Sequence, residues 1–227
     1  MFTKGNNHEP KTIDDIIFGN NESKLRIEDI VSGAEELPYS GKSAILLYGV
    51  FGTGKTTLAK MLPNHIEYGK TKEELVWDPV FIGCQQGFNG PQLMTKIDAI
   101  MTTMSLNVSG LHYFILDEVD NLTKLAQQSL KTALNTTLGV FVLTTNNVSQ
   151  LDKGLLDRCI LIEMNAANPS AYLDIAKSIT DDAGITLSNE ELLPTIQAAN
   201  GSFRNLFHNV GRLARRKAEK VPPNAIY

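Results

Sequence analysis

The chain has 227 residues, 42% of them hydrophobic, which is enough to bury the core of one α/β domain with or without a small satellite. Its formal net charge of -4 excludes a surface that is basic throughout, so any contact with nucleic acid must be local or must form where several subunits line up. The two cysteines, Cys84 and Cys159, lack the CxxC spacing of zinc sites and are too few for a disulfide framework. No apolar run reaches the roughly 18 residues of a membrane-spanning helix, and the N-terminus lacks a signal-peptide core, so we expect a soluble, cytoplasmic protein.

Short apolar runs along the chain predict five buried strands, which lie at 43–48, 79–83, 111–116, 140–144 and 159–163. Apolar positions within residues 12–37 indicate a short helical segment before the first strand. Between the strands we predict helices after position 55, over 92–104, and after position 122, where Leu122, Leu125, Ala126 and Leu130 share one face. Strands that alternate with helices predict a parallel five-stranded sheet covered by helices.

The composition changes at residues 165–169, and the remaining pattern is helical over 170–180, 189–200 and 202–218. Ser188 and Glu191 have the spacing of a capping box for the middle helix. We therefore predict an α/β core over residues 1–165 and a small three-helix lid over residues 166–227.

The sequence GVFGTGKT at 49–56 has the pattern GxxxxGK[ST] between a predicted buried strand and a predicted helix, which is the context that a phosphate-binding loop needs. Glycines allow main-chain N–H groups to face phosphate oxygens, and the helix N-terminus adds a positive dipole. The lysine reaches the β- and γ-phosphates, and the Thr56 hydroxyl is a ligand for Mg²⁺. The alternative is a glycine-rich turn that binds nothing. We predict nucleotide binding by Gly49, Val50, Phe51, Gly52, Thr53, Gly54, Lys55, Thr56 and Thr57.

Two adjacent acids, Asp117 and Glu118, end the third predicted strand. Carboxylates at the end of a buried strand are costly unless a cation is near. We expect Asp117 to hold Mg²⁺ and Glu118 to activate the attacking water. Two acids on a solvent-exposed strand end are the alternative, which is less favourable once a phosphate loop precedes them.

Further motifs occur in the order found in one known family. Residues 9–15 (EPKTIDD) are similar to the motif YRPKTLDD, and residues 117–131 are similar to the run DEAD…AQQAL[RK]. A strand ends in LTTN at Asn146, LDRC contains Arg158, and GSFR at 201–204 is similar to GDxR. The chain resembles, from about residue 9 to 210, the clamp-loader small-subunit family of AAA+ ATPases, which comprises replication factor C small subunits and their T4-type phage counterparts.

This resemblance implies the P-loop AAA+ fold and an ATPase that uses ATP and Mg²⁺ to open a ring-shaped sliding clamp and leave it on primer–template DNA. It implies that Asn146 is sensor 1, that Arg158 is a finger inserted into the ATP site of a neighbouring AAA+ subunit, and that Arg204 is sensor 2, which contacts ATP in cis. Ile16 and Ile17 in the N-terminal segment would add contacts to the nucleotide. The implied catalytic set is Glu118, Lys55, Asn146, Arg158 and Arg204, and the metal set is Thr56 and Asp117.

The chain also departs from the family pattern. His8 and Glu9 replace a Tyr-Arg pair, and Asn146 could be an ordinary turn amide. Asp157 replaces a serine, and Arg158 could be an exposed arginine that pairs with Asp157 or Asp152. Only 23 residues follow Arg204, whereas clamp loaders continue into a helical collar, so we expect no collar here. These departures leave two other functions open: another AAA+ loader or regulator, such as a helicase loader or a transposition ATPase, and a nucleotide-dependent scaffold with little turnover.

Two regions are candidates for contact with DNA. Thr95 and Lys96 lie in the segment 87–96, where clamp loaders present a helix N-terminus to DNA phosphates. The C-terminal cations either bind phosphates or an acidic partner, or simply form a solvated helix end; they are Arg212, Arg215, Arg216, Lys217 and Lys220.

Overall fold

A computed structural model of the chain describes residues 8–85 and 89–219. The predictions for Gly87 and Lys220 lie outside these described residues. The chain forms two compact units. The core unit comprises residues 20–49 and 55–164, and the lid unit comprises the described residues of the N-terminal segment up to Gly19, the loop Val50–Gly54, and the described residues from Asn165 onwards. The predicted domain boundary between residues 165 and 166 stays a prediction.

The core unit contains the predicted parallel sheet. Its strands are β1 (Ala44–Tyr48), β2 (Val80–Gly83), β3 (His112–Asp117), β4 (Gly139–Thr145) and β5 (Cys159–Glu163). They are all parallel, in the order β2-β3-β4-β1-β5. Each strand end lies within one residue of the predicted end, so the five predicted strands are confirmed.

Helices cover both faces of the sheet, because successive strand residues point to opposite faces. The helices of the core unit are α1 (Asn21–Ser32), α2 (Lys55–Thr71), α3 (Gly90–Met101), α4 (Lys124–Ala133) and α5 (Lys153–Asp157). Helices α3 and α4 bury an apolar cluster with the face of the sheet that carries Leu46, Phe114 and Phe141. The two phenylalanine rings stack with their centroids 4.7 Å apart. Helix α2 packs on α1 and lies against β1, β3 and β4.

In the core unit, helices α3 and α4 differ from their predicted limits. Asn89 caps α3, so the helix begins before residue 92, and it ends at Met101 rather than at 104. The apolar residue Met104 that extended the pattern is 85% exposed. Thr123 caps α4, which excludes Leu122 from the helix. Leu125 was predicted on the apolar face but is exposed, because the buried face runs through Ala126 and Leu130 instead.

The lid unit contains the three predicted helices, α6 (Leu173–Asp181), α7 (Asn189–Ala199) and α8 (Phe203–Ala218). The capping box of Ser188 and Glu191 on α7 is confirmed. Apolar residues from all three helices form one buried cluster, which includes Ile179, Leu192 and Val210. No helix in the described part of the chain is long and apolar enough to cross a membrane.

Candidate nucleotide-binding and hydrolysis site

The phosphate loop has a backbone that only glycine adopts without strain at three positions. The φ angles are +145° at Gly49, +79° at Gly52 and +91° at Gly54. The loop connects β1 to α2, whose first residue is Lys55. The residues of the motif therefore have the conformation and the chain context that main-chain binding of phosphate requires.

Lys55 is held at the start of α2 with its ammonium group close to the loop. The side chain is only 7% exposed, and Nζ donates a hydrogen bond to the carbonyl oxygen of Gly49 at 2.9 Å. A buried ammonium needs hydrogen-bond acceptors or an anion nearby. The position thus fits a lysine that reaches a phosphate.

Three side chains converge at the carboxyl end of β3. The hydroxyl of Thr56, at the start of α2, donates to Oδ1 of Asp117 at 2.8 Å. The hydroxyl of Thr144, on β4, donates to the same oxygen at 2.7 Å. Both lone pairs of Oδ1 are therefore engaged, and none of the hydrogen bonds among the described residues ends on Oδ2.

Glu118 follows Asp117 in a left-handed conformation, with φ +59° and ψ +54°. This conformation is uncommon for a residue with a side chain and costs about 1–2 kcal/mol. The surrounding hydrogen bonds maintain it: the N–H of Glu118 donates to Thr144 Oγ1 at 2.9 Å, and Asn121 Nδ2 donates to Glu118 Oε2 at 3.3 Å. Asn121 Nδ2 also donates to the carbonyl oxygen of Cys84, at 3.2 Å. The carboxylate of Glu118 is thus exposed but restrained.

The donor set fits a magnesium nucleotide. Among the residues that the structure describes, no group of three or more His, Cys, Asp or Glu side chains could hold a metal ion by itself. Mg²⁺ is usually held by one or two protein oxygens together with water and substrate phosphates. A threonine hydroxyl and a carboxylate 2.8 Å apart, with the threonine directly after Lys55 in the chain, match that requirement.

Asn146 comes directly after the last residue of β4 and is half-buried. Within residues 8–85 and 89–219, its side chain makes no hydrogen bond, so its amide is available to a ligand. The carboxyl ends of parallel strands meet at one edge of a sheet. Asn146, which follows β4, therefore lies at the same edge of the sheet as Asp117, the last residue of β3.

Arg158 is half-buried at the C-terminus of α5 and is held by neutral groups. Its Nε donates to Asn135 Oδ1 and its Nη1 donates to the carbonyl oxygen of Gly154, both at 2.8 Å. The alternative pairing with Asp157 or Asp152 is wrong, since no ion pair in the described part of the chain joins Arg158 to either residue. The two hydrogen-bond partners of Arg158 named above are uncharged.

In the lid unit, the start of α8 contacts the phosphate loop. The N–H of Phe203 donates to the carbonyl oxygen of Gly52 at 2.9 Å, and Ser202 is the N-cap of α8. Arg204 follows as an exposed residue in the first turn, where the helix dipole disfavours a cation. An anion nearby would remove that penalty.

Two further residues of the predicted nucleotide site belong to the lid unit. Ile16 is buried, and its Cδ1 lies 3.9 Å from the position that a Cβ on Gly54 would take. Ile17 packs against the apolar cluster of the lid helices. Ile16 thus lies against the phosphate loop, and Ile17 is a partly buried residue at the edge of the lid cluster.

The candidate DNA contacts are mostly exposed. Thr95 and Lys96 are exposed on α3, and the Thr95 hydroxyl donates to the carbonyl oxygen of Pro91 in the same helix. Lys217 forms an ion pair with Glu191 of α7. The basic residues in the last turn of α8 also complement the helix dipole.

Thr144 and Asn121 also belong to this site, although neither was predicted from the sequence. The signal for Thr144 is a hydroxyl residue within the apolar run of β4, at a position that is only 1% exposed. A buried hydroxyl needs a partner, which makes such a position conspicuous.

The profile of the ATPase family associated with various cellular activities (AAA) matches residues 45–165, which is more than half of the chain. The chain belongs to the AAA ATPase family. The matched region of this AAA ATPase includes the phosphate loop, both acids, Asn146 and Arg158.

Two curated relatives of this AAA ATPase are replication factor C subunits. The chain is 26% identical over 224 residues to "Replication factor C small subunit 1" of Pyrobaculum arsenaticum, covering 96% of the chain and 64% of the relative. It is 25% identical over 214 residues to "Replication factor C large subunit" of Methanosarcina mazei, covering 92% of the chain and 33% of that relative. The chain therefore spans less than two thirds of the length of these relatives.

Solved structures of RuvB from Thermotoga maritima have a similar fold. One RuvB variant superposes with a TM-score of 0.63 at 19% sequence identity, covering 93% of this chain and 65% of that chain. At this identity the similarity concerns the fold, which is the predicted P-loop AAA+ fold.

Proposed function

We propose that this AAA ATPase binds ATP with Mg²⁺, hydrolyses it, and acts as a subunit of a DNA sliding-clamp loader, where ATP opens the clamp and allows its placement on primer–template DNA. The observation that carries the proposal is the pair of hydrogen bonds that joins Thr56 and Thr144 to Asp117 next to the buried Lys55. Family membership and the replication factor C relatives support the finer assignment.

Nucleotide binding rests on the loop and its lysine. The main-chain N–H groups of residues 49–57 and the start of α2 bind the phosphates, and Lys55 exchanges its contact with the Gly49 carbonyl for phosphate oxygens. Thr56 and Asp117 hold Mg²⁺, which neutralises phosphate charge when bound. Ile16 and Ile17 contribute apolar contacts to the nucleotide.

Hydrolysis rests on the residues at the ends of β3 and β4. Glu118 orients a water molecule and accepts its proton as the water attacks the γ-phosphorus. Asn146, whose amide makes no hydrogen bond to the part of the chain that the structure describes, orients the same water or the γ-phosphate. The hydrogen bond that Asn121 Nδ2 donates to the carboxylate of Glu118 restrains that carboxylate, so little reorganisation is needed on attack.

Two arginines complete the site from different places. Arg204 contacts ATP in cis, which explains a cation in the first turn of α8 beside Gly52. Arg158 acts in trans on the ATP of a neighbouring AAA+ subunit, in a homo- or hetero-oligomer. Its neutral partners, Asn135 and Gly154, orient the guanidinium without neutralising it.

The deciding experiment measures ATP hydrolysis by the purified chain with Mg²⁺, alone and with its partner AAA+ subunits, a sliding clamp and primed DNA. We expect turnover that clamp and DNA stimulate jointly, and that Glu118→Gln lowers about 10²–10⁴-fold while ATP binding persists. Stimulation by a helicase or a transposase without any response to clamps would instead identify another AAA+ loader or regulator. Tight ATP binding with negligible wild-type turnover under all conditions would identify a scaffold.

A further inference from the structure

A buried threonine in the middle of the site has no assigned role. Strand register pairs Leu116 of β3 with Leu143 of β4, so the next residues, Asp117 and Thr144, lie side by side. Thr144 is 1% exposed, and the same strand face carries the buried Val140 and Val142. Valine would fill this position without burying a polar atom, so a threonine here indicates that its hydroxyl group has a specific hydrogen-bonding role.

The hydroxyl group of Thr144 is committed on both sides. It donates its single proton to Asp117 Oδ1 at 2.7 Å and accepts the N–H of Glu118 at 2.9 Å. One atom therefore contacts the two acids to which the proposed function gives different tasks. The other donor to Oδ1, Thr56, belongs to the phosphate loop helix α2.

We propose that Thr144 is a positioning residue of the hydrolysis site, which fixes Asp117 for Mg²⁺ and Glu118 for water through its single hydroxyl group. This inference rests on the proposed function and deepens it. Two hydroxyl groups saturate Oδ1 of Asp117, so Oδ2 is the oxygen left for the metal and its water shell. Partners that orient the ligands of a metal ion in this way tune its affinity.

The second effect concerns Glu118. The left-handed backbone at Glu118 places its N–H on Thr144 and directs its carboxylate to Asn121. Without the hydroxyl, the strained conformation loses an acceptor that stabilises it, and the backbone can relax to a conformation with negative φ. The carboxylate then leaves the position from which it contacts water.

The test compares Thr144→Val, which keeps shape but removes the hydroxyl, with Thr144→Ser, which keeps the hydroxyl. Thr180→Val is the control: Thr180 is equally buried, but among residues 8–85 and 89–219 its hydroxyl bonds only to the carbonyl oxygen of Lys177 in its own helix. Each variant is assayed for ATP turnover across a Mg²⁺ titration. Calorimetry measures binding of a non-hydrolysable ATP analogue with and without Mg²⁺, and thermal melting reports folding.

For Thr144→Val we expect a loss of about 10- to 100-fold in turnover or in Mg²⁺-dependent analogue affinity, with metal-free analogue binding unchanged. Thr144→Ser and Thr180→Val should stay close to wild type. Should the valine variant fail to fold, Thr144→Ala takes its place, with the same expected defect.

Two results overturn the inference: a folded Thr144→Val with wild-type turnover and Mg²⁺ dependence, or a folded Thr144→Ser that is as defective as the valine variant. Failure of the proposed function would give a different result: either the wild-type chain would not hydrolyse ATP, or Lys55→Ala would hydrolyse it as fast as wild type. A wild type without turnover whose Mg²⁺-dependent analogue binding weakens in Thr144→Val would refute the ATPase assignment but support the role of Thr144.

Discussion

Replacing Gly52 with alanine should separate the phosphate loop from the start of α8. Gly52 has φ +79°, and a Cβ placed there would lie 2.3 Å from Ser202 Oγ and 3.0 Å from Ser202 Cβ. The 2.3 Å contact forces the Ser202 hydroxyl to turn away, and the 3.0 Å contact forces Ser202 to shift by a few tenths of an ångström. Moving it disturbs the hydrogen bond from the Phe203 N–H to the Gly52 carbonyl and the N-cap bond from Asn205 to Ser202 Oγ.

Gly41 offers a matched control for the backbone cost. Its φ is +81°, and a Cβ there would meet nothing within 4 Å. Gly41→Ala therefore costs only the left-handed penalty of about 1–2 kcal/mol. Gly52→Ala has the same penalty and also loses a hydrogen bond worth about 1 kcal/mol and an N-cap worth about 1 kcal/mol. We expect Gly52→Ala to cost about 2 kcal/mol more than Gly41→Ala, or about 4–8 °C in melting temperature.

A double-mutant cycle with Ser202→Gly isolates the contact. Removing the Ser202 side chain leaves only its Cα, 3.3 Å from the new Cβ, and glycine at an N-cap costs only a few tenths of a kcal/mol. We expect Ser202→Gly to restore about 1 kcal/mol or more of the stability lost in Gly52→Ala, measured by urea unfolding. ATP affinity, measured by calorimetry, should fall in Gly52→Ala but not in Gly41→Ala. Equal stability of the two alanine variants, with no rescue, would refute the proposed contact.

Three other predictions follow from the structure. Arg158→Ala should lower by about 10³-fold or more the ATP turnover that neighbouring subunits stimulate, without changing ATP affinity. Adding Lys55→Ala protomers, whose Arg158 is intact, should restore turnover in mixed oligomers. If turnover did not recover, action of Arg158 in trans would be contradicted. Glu67 is fully buried and accepts a hydrogen bond from Tyr113 Oη at 2.8 Å. Glu67→Ala should therefore lower the free energy of unfolding, measured in urea, by about 3 kcal/mol. A loss below about 1 kcal/mol would show that this buried hydrogen bond contributes little to stability. Burial, together with nearby acidic side chains, raises the pKa of the Cys84 thiol to about 12. At pH 8 iodoacetamide should therefore alkylate Cys84 of the folded chain only slowly, as measured by mass spectrometry. Rapid alkylation before unfolding would contradict the burial of this thiol.

Much of the fold is predictable because it depends on local patterns. A buried parallel strand is an uninterrupted apolar run, so all five strands are visible in the sequence to within one residue. The phosphate loop is equally local, because its glycines, Lys55 and Thr56 act through their spacing. The role of Asp117 and Glu118 is predictable because carboxylates at the end of a buried strand lose free energy of hydration unless a cation is near.

The remaining features depend on contacts between residues distant in sequence. The role of Thr144 requires the register of β3 against β4, which no local pattern specifies. The partners of Arg158 include Asn135, 23 residues away, rather than the adjacent Asp157. Leu125 shows that a local pattern can also mislead. The spacing of apolar residues predicted it on the buried face of α4, but its side chain is 72% exposed.

The most direct test of the account is a calorimetric titration of ATP into the wild-type chain and into Lys55→Ala, each with and without Mg²⁺. Our account predicts that wild type binds ATP more tightly when Mg²⁺ is present and that the alanine variant loses most of this affinity, because the buried ammonium group is part of the phosphate site. If wild type bound no ATP, or if both chains bound it equally, residues 49–57 would not be a nucleotide-binding loop.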